Sequence, residues 1–112
     1  MANAYKFTYI KDLNTTTEVI FDSSTLGIAG DEFVIKEIRF TNTSSNEIFI
    51  DCSVFDGGDD IYLAKTTAIP VGASLNVVDN VLTLTRDDGF DLRGLCSLAA
   101  SCDVAISYMV IT

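Results

Sequence analysis

The sequence predicts an all-β fold: one domain built as an antiparallel two-sheet β-sandwich of about nine strands, jelly-roll-like or immunoglobulin-like. Three observations predict it. Valine, isoleucine and threonine together supply 32 of the 112 residues, and stiff or β-branched side chains favour the pleated, half-buried surface of a sheet. Short alternating or apolar runs are punctuated by Gly, Asp, Asn and Ser every 8–14 residues, the spacing of a sandwich or barrel. No stretch carries the i, i+3, i+4, i+7 apolar pattern of a helix over three turns. About nine strands without a helix cannot lie in one open sheet with a wet back. Two packed sheets bury the apolar faces.

The elements follow in order. Ala4–Lys11 places Tyr5, Phe7 and Tyr9 on one face. Thr15–Phe21 follows a turn at Asp12-Leu13-Asn14, and Ser23–Gly30 reads as a loop with Gly27 and Gly30 at positive φ. Asp31–Asn42 is a long strand whose alternation breaks, with Phe33 and Ile35 on one parity and Ile38 and Phe40 on the other. A bulge near Lys36-Glu37 would re-aim them. Asn42–Asn46 is a polar turn, and Glu47–Phe55 puts Ile48, Ile50, Cys52 and Val54 on one face. Asp56-Gly57-Gly58-Asp59-Asp60 is a hairpin turn into Ile61–Thr66. Beyond Ile69-Pro70-Val71-Gly72, Ser74–Val78 and Val81–Thr85 are joined tightly at Asp79-Asn80. Phe90–Gly94 follows the turn Arg86–Gly89, and Cys102–Ile111 closes the series with Val104, Ile106, Tyr108 and Val110 on one face. Its other face, Ala105, Ser107, Met109 and Ile111, is also mostly apolar, which implies cover from a second layer or a neighbour. The domain is read as 1–112, with 1–12 an N-terminal arm or edge strand.

Charge and composition exclude whole classes of function. The formal charge is −9 and 48% of residues are hydrophobic, so a packed core rather than disorder is expected. A chain of this size buries roughly 65% of its unfolded surface and needs no disulfide or metal to fold. Seven scattered cations cannot neutralise a nucleic-acid backbone, so no nucleic-acid partner is expected. The longest uncharged run, Thr66–Val78, is thirteen residues with a proline inside, short of the ~20 that cross a membrane. The opening Met1–Lys6 has no apolar signal segment.

Catalytic candidates are few. Without histidine, Ser-His and Cys-His nucleophiles and His-ligated metals are impossible, and no enzyme activity or cofactor is expected. Cys52 reads as a small buried hydrophobe. Cys96 and Cys102 flank the connection Ser97–Ser101 and could sit across a hairpin, where a disulfide would form if their Cα atoms come within about 7 Å. The Asp-rich turns at Asp56–Asp60 and Asp87–Asp91 invite a calcium reading, but neither has EF-hand spacing, and Asp and Gly are what tight turns use. Tyr5, Phe7 and Tyr9 are the candidate subunit or capsid interface, since an extended terminal segment can add a strand to a partner; the competing reading is an edge strand packed on its own core.

The second half carries a resemblance. Ile69-Pro70-Val71-Gly72-Ala73-Ser74-Leu75 leads into Val81-Leu82-Thr83-Leu84, and the last strand reads Asp103-Val104-Ala105-Ile106-Ser107-Tyr108. With Thr41-Asn42-Thr43-Ser44 and the glycine hairpin at Gly57-Gly58, this resembles small β-sandwich virion proteins of tailed bacteriophages over roughly residues 33–112. Arg93–Ser101, rich in Cys and Leu, departs from that pattern. The resemblance implies a head decoration (cement) protein that binds the assembled shell and clamps neighbouring capsid subunits. It implies a homo-oligomer, trimer or dimer, with the major capsid protein or another virion protein as partner, located in the virion after assembly in the host cytoplasm. Ala4–Ile10 would be the capsid-facing arm. Two rivals share the composition: a tail, neck, baseplate or fibre-attachment component, and a carbohydrate-binding sandwich, calcium-dependent or not. No tryptophan is available to stack on a sugar.

Overall fold

The computed structural model describes residues 3–26 and 28–111, which form two antiparallel sheets. The strands are β1 (Asn3–Ile10), β2 (Glu18–Asp22), β3 (Glu32–Asn42), β4 (Ile48–Phe55), β5 (Asp60–Ile69), β6 (Ser74–Asn76), β7 (Leu82–Thr85), β8 (Asp91–Cys96) and β9 (Cys102–Ile111). Sheet A has the order β1-β9-β3-β6, with β7 also on β3; sheet B has the order β2-β8-β4-β5. Sheet A thus holds β1, β3, β6, β7 and β9, and the chain changes sheets at most of its connections. Counting β6 and β7 as one interrupted strand leaves four strands in each sheet, the connectivity of a jelly roll.

The inner faces share one apolar core. Phe33, Ile35, Ile38 and Phe40 from β3, Ile48, Ile50 and Cys52 from β4, and Val104 and Ile106 from β9 are essentially inaccessible to water. Phe21 of sheet B meets Phe33 and Tyr108 of sheet A edge-on, with ring centroids 5.6 and 4.9 Å away. Edge-to-face contacts of this kind add about 0.5–1.5 kcal/mol each beyond burial. Gly94 keeps β8 close to this layer, because a Cβ there would lie 3.5 Å from the Phe40 ring and 3.4 Å from the Asp51 carbonyl.

The expected irregularity in β3 is present. Pairing with β9 runs Ile35–Tyr108 and then Glu37–Ser107, so Lys36 is the extra residue of a bulge. Its insertion switches parity and returns Ile38 and Phe40 to the face already used by Phe33 and Ile35. The hairpin at Asp56 also forms, with Asp56 N donating to Asp59 O at 3.1 Å and Gly57 at φ 100°. Gly30 takes the expected positive φ, 89°; Gly27 lies outside the described residues.

Elsewhere the structure corrects the boundaries. β2 begins at Glu18 because Asn14–Thr17 are taken up by a turn in which Asn14 N donates to Glu18 Oε1 at 2.9 Å. Leu13, read as part of a turn, is fully buried and donates its N–H to Cys102 O at 2.7 Å. β6 and β7 do not pair with each other across Asp79-Asn80. Both lie along β3, at Arg39–Thr41 and Glu32–Ile35 respectively. Asn76 explains the break, its Oδ1 accepting from Ile38 N and Val78 N at 3.1 Å each. The side chain thereby takes the place of a strand carbonyl.

Candidate functional site

The outer face of sheet B carries a polar cleft, and that of sheet A a row of exposed rings. On sheet B, Asp51, Ser53, Tyr62, Lys65 and Arg93 line a polar cleft of about 180 Å³. Register places them there: Asp51 is opposite Leu95, and Ser53 is opposite both Arg93 and Tyr62. Its charges are already partnered. Asp51 Oδ2 accepts from Lys65 Nζ at 3.1 Å, and Asp91 Oδ1 from Arg93 Nε at 3.0 Å. Ser53 Oγ donates to Asp60 Oδ1 at 3.0 Å, and the Arg93 guanidinium lies 3.6 Å from the centroid of Phe55. Lys65 is held above its ordinary pKa, first by Asp51 and then by Tyr62. Each charged group of the cleft is thus held by a neighbour across the sheet or along its strand.

Sheet A is different. Tyr5, Phe7 and Tyr9 are opposite Met109, Ser107 and Ala105 of β9, and residues directly opposite in a ladder share a face. The buried side chains of β9 are the alternate ones, Val104, Ile106 and Tyr108. The three rings therefore point outward, at 78, 63 and 66% exposure. They are not part of the core, which corrects the reading of an ordinary packed edge. Phe7 and Tyr9 stack with centroids 6.1 Å apart, over the small side chains of Ser107 and Ala105. An apolar groove of about 230 Å³ continues the surface at Tyr9, Ala105 and Thr41. The exposed aromatics form a row, flanked by Met109 and Val34 on the same face.

The four sheet edges are also unequal. β6 and β7 make an edge broken between Asn76 and Leu82. β2 carries a bulge at Ile20. β5 shifts register twice against β4, and Thr66 sits at φ 47° beside the bulge, its N–H donating to Asp51 Oδ1 at 2.6 Å. Among the described residues β1 alone is long and regular, pairing with β9 over eight residues without a shift. Bulges, short strands and edge lysines are how proteins prevent edge-to-edge association; of these β1 has only Lys6.

The cysteines stand apart from this surface. Cys52, Cys96 and Cys102 are free thiols and fully buried, so the Cys96–Cys102 disulfide weighed from the sequence is not formed. Nor do they face across a hairpin: Cys96 ends β8 in sheet B and Cys102 begins β9 in sheet A. Ser97–Ser101 crosses between the sheets, fastened by Phe49 N donating to Ser97 Oγ at 2.9 Å and Thr43 N to Ser101 O at 2.9 Å. Burial raises the Cys52 thiol to about 12, and burial followed by the neighbouring Cys96 does the same to Cys102. Thiols held neutral are poor nucleophiles. The Asp56 carboxylate is lowered by the N–H groups of Asp59 and Gly58, as expected of a turn. Among the described residues no group of three or more His, Cys, Asp or Glu side chains converges as a metal site.

No protein-family model matches the chain, and no curated protein sequence matches it significantly. Solved structures do. The chain is similar to a protein of the T13 viral particle of infectious bursal disease virus, with a TM-score of 0.56 and 10% identity over 96% of this chain and 30% of that one. It is also similar to a protein of the disulfide-linked pili that form Bacillus endospore appendages, with a TM-score of 0.53 and 15% identity over 96% of this chain and 85% of that one. The chain spans under a third of the viral protein's length. What is shared at these identities is the fold: a β-sandwich found in a virus particle and in a pilus.

Proposed function

We propose that this chain is a non-enzymatic structural subunit of a virion, and more finely a capsid decoration (cement) protein of a tailed bacteriophage that binds the major capsid protein. The observation that carries the reading is the row Tyr5, Phe7 and Tyr9, facing outward on the one regular sheet edge. Three large rings exposed on a strand contribute nothing to their own core, but contribute strongly when a partner covers them. Two further features support it. The chain lacks histidine, and the charged groups of its polar cleft are committed to one another. The two similar structures come from a viral particle and from pili, both of which are built by repetition of a subunit.

The mechanism is additive. Each copy covers a modest area by burying its exposed rings against the shell, and many copies on one shell turn weak single contacts into lasting attachment. A place in a tail, neck, baseplate or fibre is the second reading, favoured by the match over 85% of the pilus protein's length. Co-sedimentation with empty phage heads tests the proposal. The wild type is expected to saturate the heads at many copies per particle, and Tyr5→Ser/Phe7→Ser/Tyr9→Ser to lose binding at least tenfold. Equal binding by both proteins, or none by the wild type, contradicts the decoration reading. Saturation at a single ring of copies moves the protein to the neck or tail.

A further inference from the structure

We infer that β1 is also a self-recognition edge: the β1 strands of two copies pair antiparallel across a two-fold axis through Phe7, fusing two sheets A into one. The proposal rests on the assembly reading above and names one partner of the same edge, a second copy of this chain.

Three properties of Asn3–Ile10 point to a copy of itself. The first is regularity, since the other edges are interrupted or bulged while β1 presents eight evenly paired residues. The second is charge. The chain carries −9 overall, yet Asn3–Ile10 contains no carboxylate and one cation, Lys6. Two strongly acidic molecules can approach along this edge while keeping their acids apart.

The third is the sequence of the strand. A two-fold axis that pairs antiparallel strands stands normal to the sheet, so it preserves faces and must pass through a residue position. Centred on Phe7, it sets Tyr5 opposite the second copy's Tyr9, Phe7 opposite its counterpart, Lys6 opposite Thr8 and Ala4 opposite Ile10. All six rings then fall on one face, extending the stack that Phe7 and Tyr9 already make, and aromatic cross-strand pairs are favourable. Centring on Lys6 sets two ammonium groups face to face. Centring on Thr8 puts Tyr5 opposite Lys11 and leaves Asn3, Ala4 and Tyr5 beyond the partner's β1, whereas centring on Phe7 leaves only Asn3 beyond it. Of these three registers, the one centred on Phe7 pairs ring with ring and keeps the two lysines apart.

Register-specific cross-linking of the full chain tests the pairing. Phe7→Cys, Tyr5→Cys and Tyr9→Cys change outward-facing positions and leave the core untouched, and the three native thiols are buried. Each variant is treated with diamide, which takes two electrons and two protons from a thiol pair as the disulfide forms. Phe7→Cys is expected to give a covalent dimer at twice the 12.1 kDa chain mass on a non-reducing gel. Tyr5→Cys and Tyr9→Cys are each expected to stay monomeric on that gel but to cross-link when mixed. In parallel, light scattering is expected to give a dimer for the wild type and a monomer for Phe7→Lys, with unchanged far-ultraviolet circular dichroism. A wild-type monomer at tens of micromolar, a trimer or open polymer, or Tyr5→Cys cross-linking as readily as Phe7→Cys overturns the pairing. A monomer that still saturates phage heads overturns it while leaving the decoration reading intact. A Phe7-centred dimer that ignores heads supports the pairing and removes that reading instead.

Discussion

Ile35 and Ile38 lie three residues apart on β3, yet both are fully buried on the same face of sheet A, because Lys36 is the extra residue of a bulge against β9. In an unbroken strand, positions of opposite parity face opposite ways, and one of the pairs Phe33/Ile35 or Ile38/Phe40 would face water. Deleting Lys36 is therefore expected to abolish cooperative folding. At roughly 2 kcal/mol for each large apolar side chain turned out, the loss of two approaches the whole stability of a domain. Lys36→Ala, which keeps the extra residue, is expected to change stability by less than about 0.5 kcal/mol. Urea denaturation of the two proteins checks the contrast.

Asn42 joins two loops from a buried position. Its Nδ2 donates to Asn46 O at 2.7 Å and Ile69 O at 2.9 Å, and its Oδ1 accepts from Ser44 N at 2.9 Å. Asn42→Ala leaves the Ile69 carbonyl without that donor and is expected to cost about 2–3 kcal/mol. Asn42→Asp, which also replaces the donor by an acceptor, is expected to cost at least as much. Denaturant midpoints at constant slope measure both.

The buried thiols give alkaline pH a direction. Cys52 and Cys102 ionise at about 12 in the fold but near 8.5 when unfolded. A folded pKa raised above the unfolded one means stability fully present below about pH 8.5 and lost as pH rises toward 12. Urea midpoints across pH 8–11 are expected to fall, and Cys52→Ala to fall less steeply. Iodoacetamide at pH 8 is expected to modify the native protein far more slowly than the unfolded chain; equal rates would contradict the burial of all three.

Arg93 packs its guanidinium on Phe55 while pairing with Asp91. Arg93→Lys keeps the charge but loses the planar contact, so it is expected to recover less than half of the roughly 1 kcal/mol lost in Arg93→Ala. Thermal melts of the three proteins test this.

Much of the fold was legible because strand periodicity and turn chemistry act locally. The alternation of Glu47–Phe55, the parity break at Lys36 and the Asp-Gly turn at Asp56 each carry their own signal. What was not legible depends on pairing partners distant in sequence. Asn76 reads as an ordinary strand residue until Ile38 supplies the N–H its side chain accepts. Leu13 reads as a turn residue until the start of β9 closes over it. Cys96 and Cys102 look like hairpin neighbours, because nothing in Ser97–Ser101 announces a change of sheet. The aromatic row was visible as a row. Its outward direction depended on which face of β9 is buried, Val104, Ile106 and Tyr108 and not the also mostly apolar Ala105, Ser107, Met109 and Ile111, and on the register of β1 against it.

Amide hydrogen exchange across a dilution series tests the central claim most directly, because it reads each sheet edge separately. β1 is expected to exchange rapidly at alternate residues in dilute protein, where only β9 pairs with it, and to become protected along Asn3–Ile10 as the protein associates. Protection that appears at β2 or β5 while β1 stays open would contradict the assignment of β1 as the assembly edge.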